Sequence, residues 1–188
     1  AFAYNARDDL ISVTDPRGLV TSYAYNGLGD LTQLTSPDTG ITQHAYDSGG
    51  NPQTRTDARG QVATYSHDAL NRIASAAHSD QTIGYSYDAG TNGAGRLTGI
   101  TDNSGSTSWT YTPQGRVATR EQTTAGLYRY VGYGYDSAGR LTTIAYPSGA
   151  VFNFGYTAGK VTNITSGSET ILSGVLYDPF GPIRSWTW

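Results

Sequence analysis

The sequence predicts an all-β fold, an antiparallel meander of about eighteen short strands in one curled or spiralling sheet. Three observations carry that prediction. A seven-residue element, spelled YDSAGRL at 135–141, returns along the whole chain at intervals of 20 to 24 residues. A second, looser turn signal follows each copy after about ten residues. Between the two lie short segments rich in Thr, Val, Ile, Leu and Tyr, such as LTQLT, LTGIT and LTTIAY, that alternate with a period near two. That period is the strand signature, and no helical periodicity with caps competes with it.

Aligning on the first letter of the element places nine copies at Tyr4, Tyr25, Tyr46, His67, Tyr87, Tyr111, Tyr135, Tyr156 and Tyr177. Fixed-period self-similarity decides a fold before any local propensity does. The fourth copy, HDALNRI, keeps the frame with His67 in the tyrosine place and Asn71 in the glycine place. The fifth, YDAGTNGAGRL, carries its extra residues inside the turn. The long interval from Tyr111 to Tyr135 contains EQTTAGLYRYVGYGY, which is expected to lengthen a strand pair. The second turns are DPRG at 15–18, SPDTG at 36–40, DARG at 57–60, DNSG at 102–105 and PSG at 147–149. Nine copies occupy residues 1–188 as a single array and leave no room for a second domain. With no Met even at position 1, the chain is expected to be a piece of a longer one.

Each repeated letter has a physical role. Asp47, Asp68, Asp88, Asp136 and Asp178 follow the aromatic residue, where a carboxylate can accept backbone N–H groups two or three residues on and fix an Asx turn. Gly29, Gly50, Gly95, Gly115, Gly139, Gly159 and Gly181 are expected at positive φ, where a Cβ would clash. The tyrosines, one per hairpin, are expected to stack in a row with their hydroxyls on polar partners. Arg96, Arg116 and Arg140 follow the glycine and are expected to pair with the Asp of an adjacent copy or to lie over a tyrosine face.

Composition excludes several function classes. Net charge is −3, with 14% charged residues, so there is no basic field to hold a phosphate backbone and nucleic acid is not expected as a partner. No run approaches the apolar length of a membrane span, so membrane insertion is not expected either. Zero Cys removes disulfides and thiolate metal sites. His44, His67 and His78 are too scattered to argue a catalytic triad, and His67 is explained by packing in a tyrosine place. No HxH, HExxH, GxGxxG or phosphate loop occurs, so no catalytic, metal or cofactor site is assigned and no enzyme is expected. Trp109, Trp186 and Trp188 are the candidates for surface contact, the SWTW end being expected to pack on a following segment or a neighbouring chain.

With Tyr87–Asp88, Gly95–Arg96–Leu97, Tyr135–Asp136, Gly139–Arg140–Leu141 and the closing LYDPFGPIRSWTW, the chain resembles the YD-repeat or Rhs-repeat family over essentially its whole length. The resemblance implies a long β-sheet spiralling into a hollow shell, as in bacterial Rhs toxins, the BC component of Tc toxins and teneurins. It implies a non-catalytic segment of a secreted or cell-surface protein that confines a cargo polypeptide such as a toxin domain behind a polar inner face. Two other readings compete: a fibre or tube made by pairing of sheet edges between chains, a homo-oligomer, and a carbohydrate-binding surface module. The pattern departs at Asp8 and Asp9 in the first copy, at the shortened YTAGKV, and at Pro182 in the ninth. No segment matches the aspartic self-cleavage region at the end of Rhs cores, so no protease role is carried over.

Overall fold

The computed structural model describes every residue except 180, and those residues form eighteen strands joined by turns, with no helix among them. They fall into two compact units, residues 1–85 and 86–188. In the first, β1 (Phe2–Tyr4), β2 (Leu10–Thr14), β3 (Val20–Tyr25), β4 (Leu31–Ser36), β5 (Gly40–Tyr46), β6 (Pro52–Thr56), β7 (Val62–His67) and β8 (Ile73–Ala77) follow one another, and β9 (Thr82–Tyr87) leads out. The second contains β10 (Leu97–Asp102), β11 (Gly105–Tyr111), β12 (Val117–Thr124), β13 (Leu127–Tyr135), β14 (Leu141–Ala145), β15 (Val151–Thr157), β16 (Lys160–Ser166), β17 (Glu169–Tyr177) and β18 (Ile183–Thr187). Within each unit every strand pairs antiparallel with its neighbours in sequence.

The hairpin turn follows from its residues. At 135–141 the Asp136 N–H donates to the Arg140 carbonyl at 3.0 Å, and the Gly139 N–H donates back to the Asp136 carbonyl at 2.9 Å. Gly139 sits at φ 81°, and Tyr135 faces Leu141 across a register shift. This is the three-residue hairpin loop whose last residue is left-handed and forms a bulge. Where the glycine is missing the same conformation persists: Asp8 has φ 64° and Asn71 φ 59°, both residue types that tolerate it. The shortened eighth copy uses a two-residue turn with both Ala158 and Gly159 at positive φ, as does Ala125–Gly126 at the tip of the lengthened β12–β13 pair.

In the ninth copy the Gly181 N–H donates to the Asp178 carbonyl at 3.2 Å, as in the other turns, and Pro182 follows it.

The sheet has very little core. Among the described residues only Ala63, Ala76 and Val175 are buried apolar residues, and no large side chain is fully buried. The chain exposes 11919 Å², against about 8,700 Å² for a globular monomer of this mass. Hydrophobic burial is therefore supplied residue by residue along the strands, and the repeat-to-repeat contacts carry a correspondingly large part of the cohesion.

Residues directly opposite in antiparallel strands share a face, so the register sorts the side chains. In the first unit one face carries Ser22–Thr35, Gln33–Gln43, Thr54–Thr64 and Ser66–Ser75; in the second, taken by itself, one face carries Gly99–Ser108, Thr110–Thr119, Gly134–Thr143 and Gly155–Asn163. The other face of each unit carries Tyr23–Leu34 and Tyr65–Ala76 in the first, and Trp109–Arg120, Tyr133–Ile144 and Phe154–Ile164 in the second.

Candidate functional site

The structure joins copies by a clasp around six of the motif tyrosines. The Tyr25 hydroxyl donates to the Leu10 carbonyl at 2.9 Å, and Tyr46 to Leu31 at 2.9 Å. In the second unit Tyr111 donates to Leu97, Tyr135 to Val117 at 2.9 Å, Tyr156 to Leu141 at 2.7 Å and Tyr177 to Val161 at 2.9 Å. The acceptor is always the apolar residue that closes the preceding copy of the motif. Partial burial and the nearby Asp30 carboxylate push the Tyr46 phenol pKa up, so it remains a donor.

In the second unit the residue just before that acceptor covers the same ring. Arg96 lies 5.5 Å from the Tyr111 ring centre, Arg116 5.7 Å from that of Tyr135, Arg140 4.7 Å from that of Tyr156, and Lys160 4.7 Å from that of Tyr177. Such cation–π contacts contribute about 0.5–1 kcal/mol at exposed sites. Ion pairs to the turn carboxylate stay inside one copy: Arg140 Nε meets Asp136 Oδ2 at 2.7 Å, and Arg72 Nε meets Asp68 Oδ2 at 2.7 Å. Of the two expected arginine roles, the one that crosses between copies in the second unit is therefore the ring contact. Gly115 and Gly139 have a further part, since a Cβ at either would run into the guanidinium of Arg96 or Arg116 respectively.

The turn carboxylates are held ionised. Asp68 and Asp136 have pKa values below the ordinary range chiefly because their carboxylates accept the backbone N–H of Arg72 and Arg140; Asp47 is lowered first by the Asn51 side chain. Asp88 accepts the Gly95 N–H at 2.6 Å across the longer fifth turn. Gly29, Gly50, Gly95, Gly115, Gly139 and Gly159 all lie at positive φ.

Some predicted positions stand apart from the clasp. Tyr4 is 57% exposed and its hydroxyl has no acceptor among the described residues. His67 ends β7 half-buried and makes no ring hydrogen bond among the described residues. Tyr87 ends β9. Trp109 is half-buried opposite Arg120. Trp186 and Trp188 stack edge to face at 6.1 Å, Trp188 being 82% exposed. His44 faces Arg55, and desolvation followed by that positive charge lowers its pKa. No group of three metal-ligating side chains occurs among the described residues.

Sequence reasoning missed three features. The closing Leu or Val acts through its carbonyl, which no side-chain pattern reports. A second set of aromatic residues stands two positions before the first, Tyr23, Tyr65 and Tyr85 in the first unit and Trp109, Tyr133 and Phe154 in the second, and was visible as aromatic-x-aromatic. The third is compensation inside the turn: where Asp9 and Asp30 occupy the usual arginine place, Asn5 and Asn26 replace the usual aspartate. Their Nδ2 atoms donate to those carboxylates at 2.8 and 2.9 Å.

The polar face is the second candidate surface. Among the described residues of 1–85, none of its strand-paired positions is charged. Its hydroxyls bond across the strands, as in Ser66–Ser75 at 2.6 Å and Thr110–Thr119 at 2.7 Å.

Comparison with known proteins places this architecture. A family model described as RHS Repeat matches residues 4–41, 46–83 and 92–128, together more than half of the chain. The crystal structure of TcdB2-TccC3-Cdc42 is similar over 97% of this chain at 18% identity, with a TM-score of 0.84. That of TcdB2-TccC3 without its hypervariable C-terminal region is similar over 97% at 17% identity and a TM-score of 0.83. The Photorhabdus luminescens Tc holotoxin pore is similar over 97% at 17% identity and a TM-score of 0.81. This chain spans 11% of the length of each of those chains. No curated protein matches the sequence.

Proposed function

The chain belongs to the RHS repeat family, and on that premise we propose that it is a non-catalytic wall segment of an exported toxin shell, its polar face turned toward an enclosed polypeptide. The observation that carries the reading is the unlikeness of the two faces. A wall that confines an unfolded guest must not bind it. A guest exposes apolar side chains and unpaired backbone groups, for which a tyrosine- and leucine-lined face would compete. Short hydroxyls bonded to one another and interleaved with glycine and alanine leave this face almost free of charge, and its apolar area is confined to separate β-branched residues such as Val20, Ile41 and Val62. The clasped tyrosines, on this reading, hold a thin wall together in place of a core.

The fold likeness to TcdB2-TccC3 supports a shell over an isolated module, because this chain corresponds to about a tenth of a much larger sheet-bearing chain. A photo-activated cross-linker at Ser66 or Thr110, in the full natural chain that contains this segment, tests the proposal. The expected products join those positions to a polypeptide carried inside the same assembly. Products joining only copies of this chain through their sheet edges, or none from the polar face, overturn it, the former in favour of a fibre.

A further inference from the structure

The turn at Asn26–Gly27 gathers three groups around one reactive pair. The Asn26 side-chain oxygen accepts two backbone N–H groups, from Leu28 and Asp30, both at 2.9 Å. Arg7, in the preceding copy, donates from Nη2 to the Asn26 carbonyl at 3.1 Å and from Nη1 to the Gly27 carbonyl at 2.9 Å. The Gly27 N–H makes no hydrogen bond among the described residues, and the space where its Cβ would stand is open.

We infer that Asn26 is a site of self-catalysed deamidation, promoted by the fold. The Gly27 nitrogen loses its proton to solvent base and attacks Asn26 Cγ. The N–Cγ bond forms, the Cγ–Nδ2 bond breaks, and ammonia leaves with a proton taken from water. Water then opens the resulting five-membered imide at either carbonyl, giving aspartate or isoaspartate, so the net change is asparagine plus water to acid plus ammonia.

Each contact assists a defined charge. Deprotonating the Gly27 nitrogen delocalises negative charge onto the Asn26 carbonyl oxygen, where the Arg7 guanidinium sits. Attack on Cγ puts negative charge on Oδ1, where two backbone donors are already aimed, the arrangement that stabilises oxyanions in acyl-transfer sites.

The chain contains its own controls. Asn5 has the same two donors on Oδ1, from Arg7 N at 2.8 Å and Asp9 N at 3.0 Å, but Ala6 follows it and its Cβ crowds the nucleophile. Asn92 is followed by Gly93, but Gly93 N is engaged with the Gly90 carbonyl at 3.3 Å; the Nδ2 atoms do not separate the sites, since those of Asn5, Asn26 and Asn92 are all held, by Asp9, Asp30 and the Tyr111 carbonyl. One asparagine thus has the geometry without the glycine, and the other the glycine without the geometry.

The test is peptide mapping by mass spectrometry, with isoaspartate detection, after incubation at mildly alkaline pH. Conversion at Asn26 is expected to exceed that at Asn5 and Asn92 about tenfold, and Arg7→Gln to slow it severalfold. The unmutated chain gives an independent measure: conversion at Asn26 is expected to be faster folded than in urea. Equal rates at the three asparagines, no effect of Arg7→Gln in a folded variant, or a faster rate in urea would each overturn the inference.

Discussion

The Tyr156 hydroxyl donates to the Leu141 carbonyl at 2.7 Å, and the side chain of the residue before that leucine, Arg140, lies 4.7 Å from the centre of the same ring. One aromatic side chain is thereby held at its tip and across its face by two consecutive residues of the preceding copy. In a sheet with almost no buried apolar residues, that is how neighbouring hairpins are kept in register.

Tyr156→Phe keeps the ring and its cation contact and deletes only the hydroxyl. Losing the bond and leaving the Leu141 carbonyl unpaired is expected to cost about 1 kcal/mol. Tyr4→Phe, whose hydroxyl has no acceptor among the described residues, should change stability by less than about 0.3 kcal/mol. Urea unfolding of both variants checks the contrast, and equal losses would dissolve the clasp.

Gly139→Ala combines two penalties that Gly29→Ala separates. Both positions are left-handed, at φ 81° and 91°, which costs an alanine about 1 kcal/mol. At Gly29 the Cβ meets open space, while at Gly139 it meets Arg116. Gly139→Ala should therefore be the more destabilising by about 1 kcal/mol, and should also release Arg116 from Tyr135. Thermal unfolding gives the first result. Arg116→Ala in both glycine backgrounds gives the second, since only in the Gly139→Ala background should it add little.

Acid should weaken the turns. The folded-state pKa values of Asp47, Asp68 and Asp136 lie below the ordinary 3.8. Their contribution to stability is thus fully present above the unfolded value and lost as pH falls through the folded one. The carboxylates' share of stability is expected to be flat from neutral pH to just above 4 and to fall below it, following a separate loss that begins below 6.5, where His44, lowered in the fold, charges more readily in the unfolded chain. Asp136→Asn retains the acceptor for the Arg140 N–H and removes the titration, so its stability should fall less steeply in acid. A steeper acid loss in Asp136→Asn would contradict the assignment.

The repeat, the strands and the turn chemistry were legible because Tyr, Asp and Gly each act through a property peculiar to that side chain, and recurrence at 21 residues then adds up weak signals. What was not legible acts through the backbone or through pairs. Leu10 and Leu141 are clasp acceptors by virtue of a carbonyl that every residue has. The direction of each clasp, from one tyrosine back to the copy before it, depends on a register that only the folded sheet fixes.

The compensation at Asn26 and Asp30 makes the last prediction. Asn26 Nδ2 donates to Asp30 Oδ2 at 2.9 Å, while the corresponding pair in the seventh copy is Asp136 with Arg140 at 2.7 Å. The backbone is the same in both, since a side-chain oxygen at the first position accepts the N–H of the fifth, so the pairs should be interchangeable only as pairs. Asn26→Asp alone sets two carboxylates against each other and should destabilise by about 0.5–1 kcal/mol, more at low salt. Asp30→Arg alone leaves a neutral partner and should cost less. The double change rebuilds the seventh copy's ion pair and should recover the loss, giving a coupling of about 1 kcal/mol in a double-mutant cycle. If the two changes simply add, the residues at these positions are independent, and the appearance of Asn wherever an acid occupies the fifth place has no energetic basis.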